Sequence, residues 1–327
     1  MGGCLRRVDP MSSVVDGPYV SIVLVTRNGA DTLPAVLDAI ESQEVPFEYE
    51  VIAVDSGSTD GTADLLRSRV HSLTTIAQDD FNHGATRNLA IEHSNGVLVV
   101  MLVQDAIPTS TTWLATLTAP FAIDQRLAGT FSRQVPHTDA SAIARLYLSK
   151  WFATGERGRR VMFARAEDLS RLSTLEQLDQ CTFDNVCSCI RRSVWKDRPF
   201  ARTPIAEDLE WAKAVLVAGY SLQYVPEAAV AHSHDRPPTY EFARTYALHR
   251  RLFQLFGVRT VPTAGVLIRA IGSTLRVHLD CLRRADPPES MRSTWRGVAL
   301  AVAWPVAQYL GALSAVKGWT PIRFRGV

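Results

Sequence analysis

Residues 19–26 read YVSIVLVT and residues 50–55 read EVIAVD, two nearly continuous β-branched runs with an amphipathic stretch at residues 31–42 between them. Continuous apolar runs of this length mark strands buried on both faces, and a helix-length segment between them requires a right-handed crossover. The pair therefore reads as a βαβ unit. Outward from it the alternation continues: a helix after Gly61, an apolar strand at residues 74–77, a helix at 84–93 and a strongly apolar strand at 97–103. This predicts an α/β fold with a doubly wound, mostly parallel sheet flanked by helices. Ligands of such sheets gather beyond the carboxyl ends of the strands, so the polar residues after Thr26, Asp55 and Val103 are the first candidates for a site.

From Leu127 the pattern becomes mixed, with a strand at residues 127–133, a helix at 141–152, a polar basic stretch at 155–171 and a strand at 183–191. A helix at residues 207–218 follows and ends at Gly219, a C′ glycine. After His234 the pair Pro237-Pro238 interrupts the alternation, and helices are expected at residues 240–256, 264–284 and 293–316. The expected organisation is a flexible leader at residues 1–17, an α/β domain at 18–236 and a C-terminal helical region at 237–327. The leader carries Arg6, Arg7, Asp9 and Pro10 but no apolar core of a signal peptide.

The 327 residues are 46% hydrophobic and 21% charged, enough apolar material for a large core. A formal net charge of +2 gives no broad basic surface for nucleic acid. Cys4, Cys181, Cys187, Cys189 and Cys281 are odd in number and lack the Cys-x-x-Cys spacing of a zinc site, which fits reduced thiols in a cytoplasmic protein. The turn after the first strand, Thr26-Arg27-Asn28-Gly29-Ala30-Asp31, lacks the glycine pattern of a dinucleotide-binding dehydrogenase, and no Walker A loop is present.

Asp55 opens Asp55-Ser56-Gly57-Ser58-Thr59-Asp60-Gly61-Thr62, where a carboxylate could read a base or ribose, or simply form a turn whose Asp60 caps the next helix. Together with VSIVLVTRNGADTL, HGATRNLA, QDAIP and AEDLEWAKAVLVAGY, in this order and separation, this segment closely resembles glycosyltransferase family 2 over residues 19–234. The resemblance implies a GT-A fold and an inverting glycosyltransferase. Thr26, Asn28 and Asp55 would surround the nucleotide of a dTDP-, UDP- or GDP-linked sugar donor, with Gln104 and Asp105 beside it and Arg87 toward the diphosphate. A surface helix arginine pairing with Glu92 or another acid is the other reading of Arg87. Asp105 matches the last acid of the family's Asp-x-Asp signature, whose first acid is missing. His232 matches a histidine that some relatives place on the same ion, and His234 reads as a loop residue. The implied cofactor is Mg²⁺ or Mn²⁺, with the imidazole favouring Mn²⁺. Glu207 and Asp208 match the catalytic acidic pair, with Asp208 as general base; two acids also suit a helix N-terminus without any catalytic role. Asn185 and Trp211 are candidates for the acceptor or sugar subsite, although an indole at helical spacing also suits a core.

Residues 81–88, 104–108 and 207–212 further resemble a rhamnosyltransferase-type branch, implying a deoxysugar donor such as dTDP-L-rhamnose and a glycan or lipid-linked acceptor in cell-surface polysaccharide synthesis. Residues 298–316 carry no charge and are nearly long enough to cross a bilayer, but contain Pro305 and Gln308 and have cations on both flanks. Leu267, Ile271 and Leu275, accompanied by Arg269, Arg276, Arg283 and Arg284, suit a helix lying on an anionic membrane at its cytoplasmic face, or one packed on the main domain or on a second subunit of a homodimer. Residues 155–160 offer a basic acceptor loop or a solvated one. Two rivals remain: a non-catalytic sugar-nucleotide or glycan-binding protein, motivated by the missing acid, and a nucleotidyltransferase, for which the glycine-rich basic loop is absent.

Overall fold

The computed structural model describes residues 17–319 together with Ile322 and Phe324. The expected leader, apart from Gly17, lies outside the described residues. Nine strands form one sheet: β1 (Val20–Thr26), β2 (Tyr49–Asp55), β3 (Ser72–Thr75), β4 (Leu98–Val103), β5 (Ile107–Pro108), β6 (Leu127–Val135), β7 (Arg159–Val161), β8 (Cys187–Arg191) and β9 (Ser221–Ala231). The first helices are α1 (Leu33–Glu41), α2 (Thr62–Arg67), α3 (His83–Glu92), α4 (Trp113–Thr118) and α5 (Pro120–Ile123). They are followed by α6 (Ala142–Leu148), α7 (Ala166–Ser170), α8 (Thr174–Gln180), α9 (Arg192–Asp197) and α10 (Glu207–Val217). Three longer helices complete the described chain: α11 (Pro238–Phe256), α12 (Ala264–Arg283) and α13 (Met291–Lys317).

The strand order is β3-β2-β1-β4-β8-β6-β9-β5, with β7 also paired to β9. From β3 to β4 every pairing is parallel, as the βαβ reading requires. Beyond β4 the sheet is mixed, because β8 runs antiparallel to both β4 and β6 while β9 is parallel to β6. In consequence β1, β2, β4, β6 and β9 finish at one edge and β8 begins there. Thr26 lies opposite Asp55, and Leu102 opposite Cys187. That edge collects the polar residues that follow five strands and precede a sixth.

The strand interiors alternate between two cores. Ile22, Leu24, Val100 and Leu102 pack against Leu33, Leu37 and Ile40 of α1 and Trp113 and Leu117 of α4. Val23, Val99 and Met101 face the opposite layer with Ala90 and Ile91 of α3 and Val215 and Leu216 of α10.

β9 is the longest strand and has no clean period in sequence. Pro226, which cannot donate to a ladder, sits where its register with β6 shifts, Ser132 facing Val225 and Arg133 facing Ala229. Two further expectations change. The helix begun at Ser141 stops at Leu148, and the basic stretch is not a free loop. Arg159 of β7 makes two bonds to the Asp179 carboxylate, at 3.0 and 2.8 Å, and Arg160 pairs with Asp124.

The helical region shares the main core: Leu252, Phe256 and Val258 belong to the layer that holds α10. Lys213 Nζ donates to Leu255 O at 2.6 Å, and Arg251 pairs with Glu210. α13 is long and apolar enough to cross a membrane, yet one of its faces, including Leu300, Ala301, Pro305, Ala307 and Gly311, is buried. A Cβ on Gly311 would lie 2.4 Å from Tyr246 O of α11, so the two backbones touch there. Gly311→Ala is expected to destabilise the folded protein by about 1–3 kcal/mol through overpacking, read as a lower midpoint of chemical unfolding. Were α13 undocked, alanine's better helix propensity would give the opposite sign.

Candidate active site

One corner of the carboxyl edge gathers a carboxylate and two imidazoles whose ligand atoms are close enough to share a cation. Asp105 follows β4 in a turn closed by Ala106 N donating to Val103 O at 3.1 Å. His232 follows β9, with its backbone N–H donating to Val135 O at 2.8 Å. Asp105 Oδ1 lies 3.6 Å from His232 Nε2, and Asp105 Oδ2 lies 3.5 Å from His234 Nδ1. The three side chains offer ligand atoms within 4.8 Å of one another. Burial holds the His232 ring well below its ordinary pKa, with the neighbouring His234 and His137 adding to the effect. Burial also lowers His234, against the pull of Asp105. Both rings are therefore neutral near pH 7 and carry a lone pair. An oxygen and two imidazole nitrogens suit Mn²⁺ or a similar divalent ion. Arg236, 3.9 Å from Asp105, and Arg244 bring positive charge near the two histidines. Sequence reasoning set His234 aside, but the structure places it with His232.

The second corner is the start of α10. Ala206, at φ 61°, turns the chain so that Glu207 and Asp208 enter the site side by side. The two acids have opposite surroundings. Glu207 is 3% exposed, 2.7 Å from Arg87 Nη1, and accepts from Asn185 Nδ2 at 3.2 Å. Burial alone would raise its carboxyl, yet Arg87 and His83 outweigh that effect and lower it. Both contacts fall on Oε1 and hold Glu207 as a fixed counter-ion beside Asp208. Arg87, expected toward a diphosphate or on a surface acid such as Glu92, pairs with the acid Glu207, buried instead of at the surface, and also reaches His83 Nδ1 at 3.2 Å. Burial pushes His83 down to about 4, although Glu207 pulls it upward. Gly84 permits this geometry, since a Cβ there would meet Ala201 O at 1.9 Å.

Asp208 is half-buried and has no cationic partner among the described residues. It accepts only backbone N–H groups, from Leu209 at 2.8 Å and Asn185 at 3.4 Å. Burial, then Glu207, then Asp184 push its carboxyl up to about 8. A carboxylate so poised accepts a proton far more readily than an ordinary one.

The nucleotide candidates form a third corner with an internal logic of its own. Asp55 is fully buried and accepts from Thr26 Oγ1 at 3.1 Å, Ser58 N at 2.9 Å and Ser58 Oγ at 2.5 Å. Gln104 clasps Arg27 with its amide, accepting from N at 2.7 Å and donating to O at 2.9 Å. Thr26, Asp55 and Gln104 thus brace the two loops in which the family resemblance expects the nucleotide. Asn28 remains exposed at φ 45°, where it accepts from Thr59 N at 2.9 Å. Trp211 is corrected: it is 2% exposed, packs on Phe183 and Phe200 and donates to Arg198 O at 2.9 Å, so it belongs to the core. Asn185 is buried between the acids, its Oδ1 accepting from Ser188 at 2.8 Å, and it orients them instead of lining a sugar subsite.

Residues that sequence reasoning missed join the corners. Gln134, at the end of β6, bridges His232 and Asp184, and Asp184 precedes the Asn185 that donates to Asp208. Asp105 and Asp208 are therefore connected through one continuous set of contacts at one edge of the sheet.

A Rossmann-like sheet with an acid and imidazoles after its central strands and a second, proton-accepting acid at a helix start across the cleft defines a GT-A glycosyltransferase. The profile of Glycosyl transferase family 2 matches residues 21–163. O-antigen chain rhamnosyltransferase RfbN of Salmonella typhimurium is 31% identical over 233 residues, spanning 69% of this chain and 70% of that protein. O-antigen chain rhamnosyltransferase WbaN of Salmonella anatum is 30% identical over 200 residues, 60% of each. Mannosyltransferase PcManGT from Pyrobaculum calidifontis, solved with GDP-Man and Mn²⁺, shares the fold at TM-score 0.56 and 19% identity, over 94% of this chain and 88% of that one. Glucosyl-3-phosphoglycerate synthase from Mycobacterium tuberculosis, solved with Mn²⁺ and UDP-Glc, gives 0.51 at 17% identity over 76% and 82%. The chain belongs to glycosyltransferase family 2.

A carboxyl whose folded pKa is raised adds stability below its unfolded pKa and loses it as pH rises through the folded value. For Asp208 that window runs from about 4, the ordinary carboxylate value, up to about 8. Asp208→Asn is accordingly expected to melt above the wild type at pH 8 and level with it near pH 4, in paired thermal scans. Its turnover should fall by about 10²–10⁴-fold, as loss of a general base does.

Proposed function

We propose that the protein is an inverting, divalent-metal-assisted glycosyltransferase that moves a deoxysugar, L-rhamnose first among candidates, from a nucleoside diphosphate to a glycan or lipid-linked acceptor in surface polysaccharide synthesis. The observation that carries the metal part is a face-off of acceptors. Gln134 engages His232 Nδ1, so His232 Nε2 turns a lone pair toward Asp105 Oδ1 at 3.6 Å. Two acceptors pointed at each other are unfavourable unless a cation lies between them. Asp105, His232 and His234 would hold that ion, and His234 makes good the missing first acid of the signature. When bound, the ion would neutralise charge on the departing diphosphate.

Asp208 takes the proton of the acceptor hydroxyl as it attacks the anomeric carbon. Arg87 and Asn185 keep Glu207 anchored beside it, and the Glu207 charge in turn holds Asp208 basic. The rhamnose assignment draws support from RfbN and WbaN, both named as rhamnosyltransferases. Nucleoside diphosphate release from dTDP-L-rhamnose, UDP-glucose and GDP-mannose, with Mn²⁺ and with chelator, tests the reading. Release from dTDP-L-rhamnose that chelator abolishes is expected. Release unaffected by chelator would remove the metal, and release from no donor would leave the sugar-binding alternative.

The same reading makes residues 18–236 the catalytic unit and 237–327 its helical support, working at the cytoplasmic face of the membrane. Arg269, Arg276, Arg283 and Arg284 are exposed on or beside α12, and Ile268 and Trp295 are exposed at 72% and 69%. Cations beside apolar side chains suit peripheral contact with anionic lipid, where a lipid-linked acceptor resides. Paired Arg269→Glu and Arg276→Glu substitutions are expected to release the protein from anionic vesicles in co-sedimentation, with catalysis on a soluble acceptor preserved. Undiminished vesicle binding would instead turn attention to this face as a homodimer contact.

A further inference from the structure

Gln134 and Asp184 lie behind the proposed cation ligands, 5% and 7% exposed. Gln134 Nε2 donates to Asp184 Oδ2 at 2.5 Å, and its Oε1 faces His232 Nδ1 at 2.8 Å. Asp184 takes two more donors, Trp151 Nε1 at 3.1 Å on the same oxygen and Val186 N at 2.9 Å on the other. Burial raises the Asp184 carboxyl, while the N–H donors from Val186 and Trp151 favour its ionised form, which is an acceptor only. The Gln134 amide must therefore present its NH₂ to Asp184, which leaves its carbonyl oxygen toward the imidazole. A carbonyl cannot donate, so the ring proton belongs on Nδ1. A neutral imidazole has one N–H, and Nε2 is left bare.

We propose that Gln134 and Asp184 are positioning residues that hold His232 in its Nδ1–H tautomer and so present Nε2 to the donor's divalent cation. The proposal rests on the metal reading above for its purpose, while its hydrogen-bond content stands without any ion. Trp151 at the far end is 39% exposed and stacks on Phe152, with ring centroids 4.4 Å apart. The carboxylate that sets the ligand is thereby also tied to the segment following α6.

The relay can be tested in two ways on the full-length protein. In metal-free wild type, ¹⁵N-histidine NMR, with His232→Gln used to identify the resonance, is expected to show a protonated Nδ1 and a bare Nε2. A protonated Nε2 overturns the proposal without recourse to any other variant. In Mn²⁺ titrations followed by electron paramagnetic resonance, Gln134→Leu is expected to bind the ion about 10–100-fold more weakly, the usual cost of losing a hydrogen-bond partner behind a metal-bound histidine. Asp184→Asn, which frees the Gln134 amide to turn over, should weaken it in the same direction and give a mixture of tautomers. Wild-type affinity in a folded Gln134→Leu overturns the relay. A wild type that shows the Nδ1–H tautomer and yet binds no Mn²⁺ overturns the metal reading and with it the relay's assigned purpose.

Discussion

The reversal of one strand governs the site. β8 enters between β4 and β6 against the direction of both, so the residues that precede it, Asp184 and Asn185, arrive where its neighbours end. A wholly parallel sheet would carry that dipeptide to the far edge, away from Asp105 and His232. The reversed strand instead places two polar residues between the cation corner and the base corner, and each reaches one of them. Asp184 holds Gln134, while Asn185 holds both acids at the start of α10.

Charges buried at this edge are managed by unequal pairing. Glu207 and Arg87 satisfy each other at 2.7 Å, and a buried ion pair of this kind is costly to break from either side. Asp208, one residue on, receives only backbone donors and stays basic. Adjacent acids on one helical turn thus become different chemical species, one a permanent anion and the other a proton acceptor. The distinction comes from which neighbour the chain turn at Ala206 offers to each.

Much of this was legible in the sequence wherever a residue's role follows from local pattern. The strand–helix alternation to Val103 carried the parallel half of the sheet, and the family resemblance implied that Asp105, Asp208 and His232 share one site. What escaped were roles set by partners distant in the chain. Gln134 ends a strand with no motif around it, and only its register beside β9 brings it under His232. Asp55 and Gln104 look like ligand readers in their turns, yet each also braces a loop, Asp55 through Thr26 and Ser58 and Gln104 through Arg27. Trp211 has the same helical spacing in a core as beside a sugar, and burial decides between them. β9 hid because Pro226 and Glu227 interrupt its alternation where the strand bends.

The family profile ends at residue 163, yet the chain's integrity reaches well past it. Leu252, Phe256 and Val258 seal the layer beneath α10, the helix whose first turn bears Asp208. Trimming the protein back to its recognisable half, or even to His234, would uncover that layer and loosen the footing of the proton acceptor. α11 is better regarded as the floor of the reaction chamber than as a detachable appendage, and changes along its buried side would retune the chemistry from below.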